Sequence, residues 1–192
     1  MNSSQRLLLV GIVVVLTVGT AGTVAYTLAT RQEAGEDRLS VVATFYPLAY
    51  LAERIGGDHA VVRTLIPHNS ELHAWEPSTS DILAVEESDI FVYNGAGLEP
   101  WVVQDILPAI TTDDKVIVDA TKDLDLPASL DPHTWIDPVL AKGEAEVILE
   151  AYVEADPTRA GAYQANAQQL FSKFDAIISS YESELVDAEL DA

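Results

Sequence analysis

The chain has 192 residues, 48% of them hydrophobic, so it can form one ordinary domain with its own core, which argues against global disorder. Its 31 acidic and 10 basic residues give a net charge of −21, and such a surface repels nucleic-acid phosphates, so we expect no nucleic-acid partner. The absence of cysteine excludes disulfides, thiolate zinc sites and thiol nucleophiles, and any metal site must use histidine and carboxylate ligands.

An uncharged apolar segment occupies residues 7–30, between Arg6 and Arg31. About 20 apolar residues suffice to cross a bilayer, whereas the apolar core of a cleaved signal peptide has only about 7–15 residues. Residues 1–31 therefore predict a transmembrane anchor, and the small residues at positions 19–22 leave cleavage as a signal segment open. In both cases we expect the rest of the chain outside the cytoplasm. A charged linker follows at residues 32–38.

Short apolar runs rich in β-branched residues alternate with helix patterns in the next part of the chain. The runs predict strands at residues 39–45, 61–66, 89–93 and 115–119. Helices are predicted to begin at Pro47, after a cap at Ser80, and at Pro100. This alternation predicts an α/β fold over residues 39–155, with a parallel sheet flanked by helices. Ligands bind in such sheets at the loops beyond the carboxyl ends of the strands.

Two Asp-Pro pairs mark the last helices, because aspartate is a good N-cap and proline suits the first helical position. Asp137-Pro138 starts one helix, and Asp156-Pro157 starts another over residues 156–192. Apolar residues of this last helix recur with a period near 3.6 at Tyr163, Ala167, Leu170, Phe171, Phe174, Ile177, Ile178, Tyr181 and Leu185. Some 30 residues at 1.5 Å each give a rod of about 45–50 Å, which is longer than one small domain needs.

Two of the four histidines are the strongest candidates for metal ligands. His73 and His133 are each followed two residues later by tryptophan and lie in a loop after a predicted strand, next to prolines that stiffen the backbone. A neutral imidazole that is held in place binds a metal ion at little ordering cost. The alternative is that both are ordinary loop histidines. His68 competes with His73 as a ligand, whereas His59, beside Asp58, is expected at the surface.

Two histidines make an incomplete site, because zinc usually takes four protein ligands, or three and a water molecule. Glu76 either orients the His73 imidazole or is simply solvated. The sequence contains no Ser–His–Asp pattern, phosphate-binding glycine loop or helical metalloprotease motif, and we expect no enzymatic activity.

Five motifs follow one another from Leu39 to the end of the chain. They are residues 44–48 (TFYPL), 55–58 (IGGD), 73–81 (HAWEPSTSD), 94–101 (NGAGLEPW) and 131–138 (DPHTWIDP). In this order the chain resembles the periplasmic or surface solute-binding proteins of zinc and manganese ABC importers. In that family two α/β lobes are joined by one long helix, and the metal lies between the lobes. The resemblance implies that His73 and His133 are the ligands of the first lobe and that His68 occupies a variable position.

The second lobe of the family supplies a histidine or glutamate and an aspartate. The resemblance therefore implies that residues 156–192 form the inter-lobe helix and that the chain is cut short before the second lobe. It favours zinc (Zn²⁺) over manganese (Mn²⁺), because the Phe-Tyr-Pro start and the tryptophan motif resemble zinc-type members. The histidine-rich loop of many zinc binders is absent, since residues 122–130 are short and acidic.

The function implied by the resemblance is capture of the ion outside the cytoplasm and its delivery to an ABC permease in the membrane. An N-terminal anchor would keep the protein at the outer membrane face, and a cleaved segment would leave it secreted or periplasmic. Two other functions stay open: a membrane-anchored metal-dependent hydrolase, and a surface adhesion or scaffold protein without a role in transport.

Overall fold

The computed structural model describes residues 38–68, 70–126 and 131–190, with side chains described as far as residue 185. The predicted anchor at residues 1–31 and all but the last residue of the predicted linker lie outside this range. Residues from Leu39 onwards belong to one compact unit. Within the described residues, no helix combines the length and apolarity that crossing a membrane requires.

Four parallel strands form a single sheet with the spatial order β2-β1-β3-β4. Their bounds are β1 (Leu39–Ala43), β2 (Ala60–Thr64), β3 (Ile90–Tyr93) and β4 (Val116–Asp119). Val41 of β1 is paired with Val62 on one side and with Ile90 on the other. The central strands have buried apolar segments at Val41–Ala43 and Ile90–Val92, as expected where helices cover both faces of a parallel sheet. The predicted α/β class is confirmed.

In the described part of the chain, four α-helices accompany the sheet: α1 (Tyr46–Gly56), α2 (Thr79–Glu86), α3 (Pro138–Ala155) and α4 (Ala160–Leu190). Helix α1 packs against β1 and β2, and α3 packs against β3 and β4. Helix α4 packs against both α1 and α3. The shared core therefore lies between the sheet and α1 and α3, and α4 covers the outer side of these two helices.

The N-cap predicted at Ser80 is wrong, because α2 begins at Thr79 and its N-cap is Ser78. The Asp81 carboxylate accepts a hydrogen bond from the Ser78 backbone N–H at 3.0 Å. Ser78 has this acidic residue three positions later, which is the capping-box spacing, whereas Ser80 has Leu83 there.

The segment predicted to be a helix from Pro100 is irregular. A π-helical turn at Val102–Ile106 passes directly into a 3-10 turn at Leu107–Ala109. Pro108 lies in the second turn, and since proline has no N–H and clashes with the preceding turn, regular α-helix does not continue there.

Both Asp-Pro helix starts are confirmed. The Asp137 carboxylate accepts from the backbone N–H of Val139 at 2.8 Å, and that of Asp156 accepts from the backbone N–H of Thr158 at 3.1 Å. The second start differs from the first, because Pro157–Arg159 forms a 3-10 turn before α4 begins.

Helix α4 has 31 residues, or about 46 Å at 1.5 Å per residue. Its predicted apolar face is buried at the N-terminal end, where Tyr163 and Ala167 are inaccessible to solvent. Further along the same face, Tyr181 and Leu185 are 61% and 65% exposed. The helix is therefore anchored at its base, and its last described turns present apolar side chains to solvent.

Candidate metal centre

The two predicted ligand loops start from opposite edges of the sheet, since β2 and β4 are its outer strands. They meet above the carboxyl ends of β1 and β3, where Phe45 contacts Trp135 and Asn94 contacts Pro132. Strand order reverses between β1 and β3, and the crevice beyond such a switch point is the usual ligand position in open α/β sheets. The topology thus places both loops at the part of the fold best suited to a ligand.

The structure brings His73 and His133 together across 60 positions of sequence. The Nε2 atoms of the two rings are 3.2 Å apart, and the rings meet edge to face with centroids 5.3 Å apart. His68 lies apart from this pair and packs on Tyr46 at 5.0 Å. His59 lies at the base of α4, where its ring is 6.2 Å from Tyr163.

Asp131 holds His133 at two atoms. Its Oδ1 accepts a hydrogen bond from the His133 backbone N–H at 3.0 Å and lies 2.5 Å from the ring Nδ1. The hydrogen bond from the His133 backbone N–H is the largest cause that lowers the pKa of the Asp131 carboxyl, and the contact with the His133 ring lowers it further. An ionised carboxylate only accepts hydrogen bonds, so a neutral His133 ring donates from Nδ1 and its Nε2 carries the free lone pair. That lone pair belongs to the atom that faces His73.

Trp135 packs beneath His133. Its ring lies 5.3 Å from the His133 ring and 4.6 Å from the ring of the buried Phe45, edge to face in both cases. The His133 imidazole therefore packs on Trp135, which in turn packs on the core residue Phe45.

The loop that carries His73 is more exposed. The Glu71 carboxylate accepts from the His73 backbone N–H at 3.3 Å, and Trp75 packs on Trp101 with ring centroids 4.7 Å apart. Glu76 is exposed, and the carboxylate that contacts the His73 segment is that of Glu71.

A buried polar network lies behind the His133 loop, and the sequence reasoning missed it. The Glu99 carboxylate accepts hydrogen bonds from the Thr44 hydroxyl at 2.7 Å and from the backbone N–H of Asn94 and of Gly95 at 2.9 Å and 3.2 Å. Burial raises the pKa of Glu99, and these three hydrogen bonds oppose that increase. The signal for this network was the NGAGLE sequence, in which a carboxylate follows a glycine-rich turn by two residues.

Glu144 of α3 is a second buried carboxylate near this network. The residue is 0% exposed, and neither side-chain oxygen has a hydrogen-bond partner among the described residues. Burial raises the pKa of Glu144 to about 7; interaction with the Thr134 hydroxyl opposes the increase and the charge of Glu99 adds to it.

Within the described residues, no cluster of three or more His, Cys, Asp or Glu side chains is arranged to hold a metal ion. The candidate centre in the described residues therefore consists of two imidazole nitrogens on partly exposed side chains. It offers two of the donors that a metal ion requires.

Comparison with known proteins identifies the family. The family model of ZnuA, the periplasmic component A of the zinc-uptake complex, matches residues 41–190. The chain belongs to this family. Among curated proteins, it is 32% identical over 171 residues to the high-affinity zinc uptake system protein ZnuA of Bacillus subtilis, covering 80% of this chain and 53% of the relative. It is 38% identical over 133 residues to the manganese-binding lipoprotein MntA of Halalkalibacterium halodurans, covering 68% of this chain and 44% of the relative.

Solved structures agree with the sequence relatives. The metal-dependent lipoprotein YcdH of Bacillus subtilis superposes with a TM-score of 0.72 at 34% identity, over 76% of this chain and 55% of that one. The zinc-bound ZnuA-like domain of Streptococcus pneumoniae AdcA gives a TM-score of 0.70 at 29% identity, over 75% of this chain and 54% of that one. The resemblance seen in the sequence is confirmed, and the chain spans about half the length of the curated relatives it matches.

Proposed function

We propose that this chain is the ion-capturing part of an extracytoplasmic solute-binding protein that delivers zinc, or alternatively manganese, to an ABC permease in the membrane. The observation that carries the proposal is the 3.2 Å approach of His73 Nε2 to His133 Nε2 at the switch point of the sheet. The relatives support the choice of ions, since one is named for zinc uptake and another for manganese binding.

The separation of the two nitrogens fits a shared zinc ion. Zinc–nitrogen bonds of about 2.0–2.1 Å in a tetrahedral arrangement place two nitrogen ligands about 3.3–3.4 Å apart. The observed 3.2 Å requires only a small adjustment, and the Asp131 contact at Nδ1 leaves the His133 Nε2 lone pair free for the ion. We assign His73 and His133 as two ligands of the ion.

The remaining ligands are expected from outside the described residues, consistent with a relative of which this chain covers only 53%. In this proposal residues 39–155 form the first, metal-binding lobe and residues 156–192 form the inter-lobe helix. Residues 1–31 serve as a transmembrane anchor or a signal segment, which places the lobe at the outer face of the membrane.

Binding without turnover is the activity proposed here, and the chain is not proposed to be an enzyme. A metal-dependent hydrolase would require turnover of a substrate at the bound ion. An adhesion or scaffold protein would function without metal. Metal binding by the two histidines, with no hydrolysis of ester or peptide substrates, distinguishes the proposed function from both.

Isothermal titration calorimetry of the full chain, kept in solution with a mild detergent, tests the proposal. We expect wild type to bind zinc weakly, with loss of binding in His73→Ala and in His133→Ala. His59→Ala is the matched control, because this histidine lies at the base of α4, and it should bind as wild type does. Unchanged binding in both ligand variants would refute the assignment.

Manganese is titrated in the same experiment. Nitrogen sites generally bind zinc more tightly than manganese, so tighter zinc binding in vitro is expected for either cargo. The manganese alternative is supported if manganese binds with an affinity equal to or higher than that of zinc.

A further inference from the structure

We infer that Asn94 is a positioning residue for His133, because its carboxamide contacts the backbone of the residue before that histidine and the side chain of the residue after it. The inference rests on the proposed function in one respect only, that His133 is a ligand. Asn94 follows β3 directly, is 0% exposed and lies 39 positions from His133 in sequence.

The carboxamide spans the two residues that flank His133. Its Nδ2 donates to the Pro132 carbonyl at 3.0 Å, and its Oδ1 accepts from the Thr134 hydroxyl at 3.4 Å. Thr134 is 2% exposed, so this second contact lies inside the protein. A carbonyl oxygen only accepts hydrogen bonds, which fixes the amide with its nitrogen towards Pro132.

Asn94 is itself held rigidly. Its backbone N–H donates to Glu99 at 2.9 Å, and its backbone carbonyl accepts from the Thr121 N–H at 3.1 Å. The next residue is Gly95 with φ +81°, where a Cβ would overlap the Asp119 carboxylate, so the chain leaves Asn94 through a turn that only glycine fits. A side chain fixed at its backbone in this way can fix the loop that it contacts.

The chemistry of the amide is specific to this task. One planar group must donate to a carbonyl and accept from a hydroxyl on either side of one residue, and an asparagine amide does both. Leucine has a similar volume but offers neither interaction. The His133 ring is thus held at Nδ1 by Asp131, and its two neighbours in sequence are held by Asn94, through the Pro132 carbonyl and the Thr134 hydroxyl.

The test uses isotope-labelled full chain in a mild detergent and two variants, Asn94→Leu and Thr134→Val. The first removes both contacts, and the second is isosteric and removes only the Thr134 contact. Ser88→Ala is the matched control, because Ser88 is buried and its hydroxyl donates to the Val85 carbonyl at 2.8 Å, in the turn that follows α2. Urea denaturation of all three variants measures the general loss of stability.

The primary readout is metal-free. At about pH 8, above the usual histidine pKa of about 6.5, long-range proton–nitrogen spectra report the imidazole tautomers. We expect wild type to show His133 as the Nδ1–H tautomer, with a cross-relaxation signal between the rings of His73 and His133. Asn94→Leu should mix the tautomers and lose that signal, Thr134→Val should show a smaller change, and Ser88→Ala should match wild type.

Zinc is then titrated while the same imidazole resonances are followed. Loss of a partner that orients a metal ligand costs about 10-fold in affinity, which is the weakening expected for Asn94→Leu. Wild-type tautomers, ring contact and zinc affinity in both Asn94→Leu and Thr134→Val would overturn the inference. If zinc leaves the wild-type His73 and His133 resonances unmoved, the proposed function fails, whereas the metal-free spectra still decide the role of Asn94.

Discussion

The two loops that meet at the candidate metal centre are held in very different ways. The His133 loop, residues 131–137, is tied to the core by the Asn94 amide, by Trp135 against Phe45 and by Asp131 at the histidine itself. The described part of the His73 loop, residues 67–78, is largely exposed. Its contacts include the packing of His68 on Tyr46 and of Trp75 on Trp101, and the Glu71 carboxylate accepts from the His73 backbone N–H within the loop. One candidate ligand is fixed when the protein folds, and the other lies on a more exposed segment.

Because of this difference, the two histidines contribute unequally to the conformational entropy cost of metal binding. Ordering a flexible side chain on binding costs about 0.5–1.5 kcal/mol, and a ligand fixed beforehand avoids that cost. His133 is therefore suited to make the first lasting contact with the ion, and His73 is suited to adjust to it. Under the proposed function, one fixed and one more exposed contact would allow the ion to be captured and released again.

Glu99→Ala should produce the largest effect on stability and on the difference between the two loops. The substitution leaves three buried donors without their acceptor, and we expect the free energy of unfolding to fall by about 3–5 kcal/mol. Urea denaturation measures the loss, and Glu99→Gln, which keeps an acceptor oxygen, should lose less. Relative to wild type, hydrogen exchange should show a larger loss of amide protection in residues 131–137 than in residues 70–78. Equal loss of protection in both loops would break the comparison.

Glu144→Gln should change how stability depends on pH. The carboxyl releases its proton near 4.5 in the unfolded chain and near 7 in the folded one, so stability falls as pH rises through this interval. At about 1.36 kcal/mol per pH unit, the decrease attributable to Glu144 is about 3 kcal/mol. The glutamine variant, which cannot ionise, should be more stable than wild type above pH 7 and similar to it near pH 4.5.

Thermal unfolding followed from acid to mildly alkaline pH measures the Glu144 effect. Glu146→Gln is the matched control, because this residue lies on the same helix and is exposed. A parallel pH dependence for wild type and Glu144→Gln would show that this carboxyl is not the group responsible.

Asp131→Ala and Glu71→Ala compare the two loops most directly, and we expect them to have the smallest effects. Asp131 contacts both the backbone and the ring of its histidine, whereas Glu71 contacts only the backbone. We expect zinc affinity to weaken about 10-fold in Asp131→Ala and clearly less in Glu71→Ala. Calorimetric titration at neutral pH measures both variants, and equal losses would mean that the two histidines are held to a similar degree.

Local sequence patterns predicted much of this fold. Apolar runs located each strand to within two residues, and Asp137-Pro138 marked the start of α3 correctly, because strand burial and helix capping depend on near neighbours. The predicted N-cap of α2 was wrong for a local reason as well. Two serines two residues apart could serve as the N-cap, and the hydrogen bond from the Ser78 N–H to the Asp81 carboxylate favours Ser78.

The parts that could not be predicted depend on distant partners. Asn94 meets Pro132 across 38 positions and Thr44 meets Glu99 across 55, and neither residue type signals such a contact by itself. Glu144 was hidden among 31 acidic residues, because a helical pattern does not reveal that one acidic side chain points inward. The approach of His73 to His133 was an expectation from the family resemblance, and only the strand order explains it physically.

The strand order also makes the approach of His73 to His133 dependent on complete folding. The loops of His73 and His133 leave the two outer strands, which are three strand spacings apart, or about 14 Å at the spacing of neighbouring strands. The pair forms only after β1 and β3 have inserted between these edges. An ion that binds the pair stabilises the finished sheet by mass action and gives no such support to chains that lack its central strands. A partly folded copy of the chain would therefore not bring His73 and His133 together.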